Sequence, residues 1–495
     1  MLSAAIFVPL FAAFALAVIQ VRSESTARVL AVATSFVPLA LLIAVWIGFD
    51  TAPGAATFQA IDEVSWIPTL GVAWRVGVDG ISLALAAMSA LLFTAAIAWP
   101  AQTQGRWRQY YAWLLFLEGV SLGLFLALDL LLFYVFFDLS LVGMYFLIGR
   151  WGHGDSERAA LKFFIYTLAG SLALLLAILG LVLATEPLTF DMRVLIERQP
   201  LAGYDVRAGI VLAGFVLGFA IKTPLVPFHT WLPPAHVDAP APASAILAGV
   251  LLKMGTYGLL RIPLSMMSET FSKYAFAIGV AAVVSVLWGA LVALGQGHLK
   301  RRIAYTSVNH MGYAVLGIAT AGTLAGGTAA RELALTGAVL EMVAHGLITG
   351  SLFLIAGAFW QRSEEYEISA YGGLAGVAPK LMVATTIAAF ASLGLPGLAG
   401  FVAEFQIFAG TFAVHPWLAG IAILGILITA ALFLGLLQQI FFGKLPERWR
   451  RFPDLGRVEL SVLAVLLILV VIIGVQPRWV LSVISRGSAA ITGAG

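Results

Sequence analysis

Residues 219–244 read FAIKTPLVPFHTWLPPAHVDAPAPAS and set a lysine, two histidines, an aspartate and six prolines between two strongly apolar runs. In a soluble chain this would be an ordinary polar loop. Proline lacks an N–H and its ring clashes with the preceding turn, so Pro224 and Pro227 break any helix that carries Lys222. The reading of the whole chain turns on where that break sits.

The surroundings answer this. Of 495 residues, 61% are hydrophobic and 11% charged, and the mean hydropathy is +0.99. Soluble domains carry about 25% charged residues, so the composition is that of an integral membrane protein. There are no cysteines, which removes disulfides, thiolate zinc sites, cysteine-ligated iron–sulfur clusters and cysteine nucleophiles from this chain. GLPGLAG at 394–400 has the wrong spacing for a dinucleotide fingerprint. Redox or nucleotide chemistry would therefore belong to a partner. The first residues, MLSAAIFVPLFAAFALAVIQ, lack a basic leader and a cleavage site and are expected to form a membrane helix.

At about 20 apolar residues per span, the chain offers about 14 transmembrane helices. They are expected at 2–21, 29–48, 81–99, 110–128, 130–149, 160–183, 208–229, 243–262, 273–295, 302–321, 332–360, 380–411, 417–442 and 458–477. The fold class is thus all-α. The polar-leaning segments 49–80 and 184–207 are too short for an independent domain. With both termini outside, most Lys and Arg fall in inside loops, among them Arg22, Arg28, Arg106, Arg108, Arg150, Lys300, Arg301, Arg362, Lys444 and Arg450. That distribution obeys the positive-inside rule.

Lys222, Lys253, Glu118, Asp138, Glu341 and Glu404 fall inside apolar spans, with His229, His310 and His345 beside them. A charge at the centre of a membrane helix costs roughly 2.5–3.5 kcal/mol on insertion scales, so such residues face protein or a wet cavity and mark function. The bland reading is a snorkelling end residue or an isolated ion pair, and it weighs most for Glu118 and Glu341. A lone membrane histidine is more often a hydrogen-bonded core residue. Here the imidazoles can link proton-carrying groups, since one nitrogen accepts while the other donates. His229 and His236 do not have a zinc spacing, and no metal is expected.

A second break is expected in SLGLPGLAGFVAEF (392–405), with Glu404 just beyond it. Broken backbone at membrane depth is tolerated only where it lines protein or water. One charge-bearing broken helix in each half, in opposite orientations, is the pattern of inverted-repeat transporters with midplane sites.

The residues carry a resemblance as well. The run FAIKTPLVPFHTWLPPAHVDAPAPASAILAGVLLKMGTYGLLR (219–261) closely resembles the antiporter-like membrane subunits of respiratory complex I, the NADH–quinone oxidoreductase. So do KRRIAYTSVNHMGYAVLGI (300–318), MVAHGLITGSLFLIAGAFWQR (342–362), YGGLAGVAPK (371–380) and LGLPGLAGFVAEF (393–405), and the likeness runs from about residue 110 to 445. The layout, without a long lateral C-terminal helix, is similar to the M-type subunits. The resemblance implies a first repeat over 110–262 and an inverted one over 273–442, flanked by helices at 1–109 and 443–495. It implies a proton path of Asp138, Lys222, Lys253 and Glu404, relayed by His310, His345, Glu118 and His229. It also implies neighbouring antiporter-like subunits and lipid as partners, a bacterial plasma-membrane location, and no nucleic acid. Flavin, iron–sulfur clusters and quinone are expected in partner subunits, with no cofactor in this chain.

The sequence departs from the family at one place. Where the family has a glutamate, FDLSLVGMYFLIG (137–149) has Asp138, with Gly143 at the position of a proline. At an effective dielectric near 20, a contact at about 4 Å is worth about 4 kcal/mol, and lengthening it to about 5.5 Å costs roughly a quarter of that. The expectation is that Asp138 still pairs with Lys222, with weaker coupling. Two alternatives stay open: a module of a related cation/proton antiporter, membrane hydrogenase or inorganic-carbon uptake complex, and a structural subunit that has lost pumping.

Overall fold

The computed structural model describes residues 1–493 except Gln20, Arg22, Pro53, Ala101, Gln102, Gln104 and Tyr204. The end of the first expected span and the inside charge Arg22 thus lie outside the described residues. The chain opens with α1 (Leu2–Val18) and α2 (Glu24–Ile47), then a hairpin of β1 (Gln59–Ile67) and β2 (Val72–Val78). Next come α3 (Gly80–Ala98), α4 (Trp107–Leu126), α5 (Leu130–Trp151), α6 (Ser156–Val182), the short α7 (Met192–Arg198) and α8 (Val206–Lys222). Turns lead to α9 (Leu232–Asp238), then α10 (Ala241–Ile246) and α11 (Leu252–Leu259), joined by a π-helical turn at Leu247–Leu251 and followed by another at Leu260–Leu264. The second half holds α12 (Ser268–Leu294), α13 (Leu299–Ala321), α14 (Thr328–Ser363), α15 (Pro379–Ser392), α16 (Ala399–Val414), α17 (Pro416–Phe441), α18 (Arg457–Val475) and α19 (Arg478–Thr492).

Helix lies in each of the expected segments, though the one expected over 208–229 stops at Lys222, and among the described residues ten helices are long and apolar enough to cross a membrane. Both breaks occur. α8 ends at Lys222 and helix resumes at Leu232; α15 ends at Ser392 and α16 begins at Ala399. The broken backbone finds internal partners, as hydrocarbon requires. The Trp231 indole donates to Ile221 O at 2.9 Å, Ser285 Oγ accepts Val226 N–H at 2.9 Å, and Leu395 N–H bonds Phe390 O at 3.0 Å.

α14 is the axis of the second half. Its 36 residues span about 54 Å at the helical rise, and its membrane stretch is wholly buried. α13, α15, α16 and α18 pack around it, α3 and α10 close its other side, and apolar residues such as Phe14, Leu176, Trp417 and Leu427 stand exposed on the outer faces of other helices. Arg261, at the end of the broken span after α11, pairs with Asp79 at the start of α3 at 2.5 Å, both 1% exposed. Asp79 also caps α3 through Ser82 N–H.

The all-α class stands, with one small addition: Gln59–Val78 pairs as an antiparallel hairpin around Gly71, whose φ of 69° suits glycine. Its alternating β-branched and polar residues were masked by the apolar spans on either side. One expectation needs correction: His229, at the end of the span expected over 208–229, lies not in helix but in the turns between α8 and α9.

The hairpin is tied down by charge. Arg75 donates to buried Asp129 at 3.0 Å and to Glu63 at 2.7 Å, while Arg193 bonds Asp191 at 2.6 Å and Glu63 at 2.9 Å. Hydrogen bonds from Arg75, and then Arg193, hold Glu63 below the ordinary carboxylate range. Since the folded value is depressed, this stabilisation is complete above the unfolded value and is lost as pH falls through the folded one. Arg75→Ala leaves Asp129 without its cation and is expected to cost about 3 kcal/mol, read as a lower melting temperature in detergent. Glu63→Gln should melt below the native chain at pH 7, and the two curves should converge on acidification. A gap that persists in acid would refute the assignment.

Candidate proton-relay site

The charged groups collect into two places. Lys222 is the last residue of α8, where the negative end of the helix dipole favours a cation. It is 1% exposed. Its Nζ donates to Ser140 Oγ on α5 at 3.0 Å and sits 5.0 Å from the centre of the Phe137 ring. Asp138 does not pair with it: among the described residues no carboxylate lies within 4.0 Å of Lys222 Nζ. Asp138 Oδ1 instead accepts a short hydrogen bond from Ser171 Oγ on α6. It remains the acid that acts on Lys222 through space. The expected contact is therefore absent, and the carboxylate meets a hydroxyl on the next helix instead.

Glu118 is no closer. It is buried on α4 and accepts from Ser35 Oγ of α2 at 2.8 Å, with Ser35 linked to Thr94 of α3 at 2.9 Å. His229 Nε2 takes the Trp288 indole N–H at 3.3 Å and touches neither lysine.

The second place is continuous. The π-helical turn at Leu247–Leu251 sends Leu252 N–H to Leu247 O, five residues back. The register shift leaves Ala248 O in reach of Lys253, whose Nζ bonds it at 2.5 Å and meets His345 Nδ1 at 2.6 Å. Single π turns of this kind gather at functional sites. The His345 and His310 rings are 5.4 Å apart. His310 Nδ1 lies 3.0 Å from Glu341 Oε1 and 3.7 Å from Glu404 Oε1, and its Nε2 lies 3.0 Å from Ser392 Oγ. Glu341 and His345 are four apart on α14 and so share one face. Gly394, at φ 75°, lets the chain turn, and a side chain there would strike the Glu404 carboxylate. All of these charged groups are at most 4% exposed.

Lys253, His345, His310 and Glu404 are thus brought together as expected, while Lys222, Asp138, Glu118 and His229 are dispersed. Glu341, counted among the buried charges but not in the expected proton path, joins them, and its four-residue spacing from His345 was the available signal. Ser140, Ser171 and Ser392 carried no signal. His310 Nδ1 and one oxygen from each of Glu341 and Glu404 lie within 4.8 Å of one another, so these donors could also hold a cation. A lysine bonded to an imidazole, itself beside a second histidine shared by two carboxylates, can pass protons by exchanging N–H and O–H bonds.

If Ser171 is what holds Asp138 aside, Ser171→Ala should release the carboxylate toward Lys222. A structure of that variant is expected to show an Asp138 oxygen within ion-pairing distance of Lys222 Nζ. An unmoved carboxylate would rule this out.

Comparisons with known proteins identify the family. Residues 127–429 match the family described as NADH:quinone oxidoreductase/Mrp antiporter, TM. The chain is 36% identical to NADH-quinone oxidoreductase subunit M of Rhodobacter capsulatus, over 99% of this chain and 96% of that one. It is 37% identical to F(420)H(2) dehydrogenase subunit M of Methanosarcina mazei, over 98% and 97%. A chain of respiratory complex I from Thermus thermophilus superposes with a TM-score of 0.88 at 30% identity, covering 100% of both. A chain of the Mrp complex from Dietzia superposes with a TM-score of 0.86 at 20% identity, covering 100% of this chain and 97% of that one, a likeness of fold alone. The chain belongs to the NADH:quinone oxidoreductase/Mrp antiporter transmembrane family.

Proposed function

We propose that this chain is a proton-translocating membrane subunit of an NADH–quinone oxidoreductase, in which quinone reduction by partner subunits drives protons along buried lysine, histidine and carboxylate groups. The observation that carries the reading is the buried row of close groups from Lys253 through His345 and His310 to Glu341 and Glu404, hydrogen-bonded or in close contact except between the two imidazoles, whose ring centres are 5.4 Å apart. Moving a charge across the membrane works against about 2.3 kcal/mol per 100 mV. Nothing in the chain supplies that energy, so flavin, iron–sulfur clusters and quinone are assigned to partners. Relatives named for NADH and for F(420)H(2) share this membrane chain, which fits an electron donor chosen by peripheral subunits.

Asp138, Lys222, Lys253 and Glu404 are the proton path in this reading, with His310, His345 and Glu341 as relay and Glu118 and His229 auxiliary. An ammonium facing a carboxylate keeps its proton; one left with a hydroxyl and an aromatic ring in a dry site loses it more readily. The gap between Asp138 and Lys222 then corresponds to the proton-releasing arrangement, and closing it to recapture. The chain would form about 14 spans, with inverted repeats at 110–262 and 273–442 between helices at 1–109 and 443–495. Both termini would lie outside a bacterial plasma membrane, and neighbouring antiporter-like subunits and lipid would contact the flanks.

Lys222→Ala in the assembled complex is expected to leave assembly intact and to lower the protons pumped per electron. An unchanged stoichiometry would overturn the reading.

A further inference from the structure

His236 belongs to neither place described above. It lies on α9, just beyond the first break, and is 0% exposed. Its ring stacks on Phe353 of α14, with centroids 4.4 Å apart and planes 9° from parallel. Neither ring nitrogen meets a protein hydrogen-bond partner among the described residues. A buried polar atom left without a partner costs about 1–3 kcal/mol, and a phenylalanine would keep the stack without that cost. Packing alone therefore does not favour an imidazole here.

Its position suggests why one is present. Phe353 is eight residues beyond His345 on α14, about 12 Å along the axis, in the direction of the inside end marked by Arg362. His345 Nε2 is likewise without a protein partner. Toward the inside end, Lys300 donates to Val237 O at 3.4 Å and, more closely, to Ala239 O. The half-buried Asp238 accepts the His153 N–H on its carbonyl at 2.8 Å. The charged and titratable groups that act on His236 are Lys300 of α13 and Lys253 of α11, with His345 of α14 coupled to it in turn. The ring thus lies between a corner of half-buried Asp238 and buried Lys300 and the buried Lys253–His345 pair.

We propose that His236 is a proton-carrying residue that links the inside corner at Asp238 and Lys300 to the Lys253–His345 pair. The inference rests on the proton-translocating reading above. One ring nitrogen takes a proton from the inside corner while the other gives one up toward His345. One N–H bond forms as another breaks, the ring ends neutral as the opposite tautomer, and a ring flip resets it. About two helical turns separate His236 from His345, so the transfer runs through water rather than by direct contact.

The test uses the intact complex in proteoliposomes and compares His236→Phe, Phe353→Leu and Lys222→Ala. His236→Phe keeps an aromatic stack but carries no proton; Phe353→Leu breaks the stack and keeps the imidazole. The proposal expects His236→Phe to assemble and to lose protons per electron to the same extent as Lys222→Ala, with Phe353→Leu close to native. It is overturned if His236→Phe pumps as the native chain while Lys222→Ala fails. It is also overturned if Phe353→Leu loses as much as His236→Phe, which would mark a packing role. Full pumping by Lys222→Ala would instead remove the function reading beneath it.

Discussion

A chain immersed in hydrocarbon must satisfy its backbone and its charges from within, because there is no water to do so. In this protein that requirement explains where helices break and what surrounds the breaks. The interruption after Lys222 survives because the Trp231 indole and the Ser285 hydroxyl take up groups the helix leaves free. The π-helical turn before Lys253 leaves a carbonyl for that lysine's own ammonium. Each irregularity sits beside a charge, and hydrogen bonds to freed backbone and neighbouring hydroxyls offset part of both costs.

The same constraint separates two kinds of buried charge. Asp79 and Arg261 form a close pair with additional bonds to the Ser82 N–H and the Tyr257 hydroxyl; this is a structural tie between α3 and the end of the broken span. The Lys253–His345–His310 group is arranged differently. It is a row of polar groups in which His345 Nε2 and Glu341 Oε2 keep unused positions among the described residues. A tie satisfies its charges on the spot, whereas a row with spare positions can hand a proton along. The Lys222 end is looser again, with a serine where a carboxylate was expected.

Much of this was legible in the sequence. Hydropathy gave the spans, and the prolines and glycines beside Lys222 and Glu404 gave the breaks, because proline geometry and the scarcity of charge in membranes act locally. The hairpin at Gln59–Val78 was missed because its alternation is short and lies between longer apolar signals. Glu341 was underweighted as an isolated charge. His236 falls between the spans expected at 208–229 and 243–262, in a proline-rich stretch, yet α9 carries it into the core.

The sequence by itself determined that this is a membrane chain, that two of its helices break beside charges, and that lysines, acids and histidines lie at membrane depth. Each of those follows from residue chemistry over a few neighbours. Only the tertiary structure decided which of those groups touch. Asp138 faces Ser171 rather than Lys222, and Glu341 and Glu404 share His310, because such contacts are set by how α5, α6, α8, α13, α14 and α16 pack against one another. A side chain one methylene shorter than its family counterpart meets whichever partner that packing brings within about 3 Å.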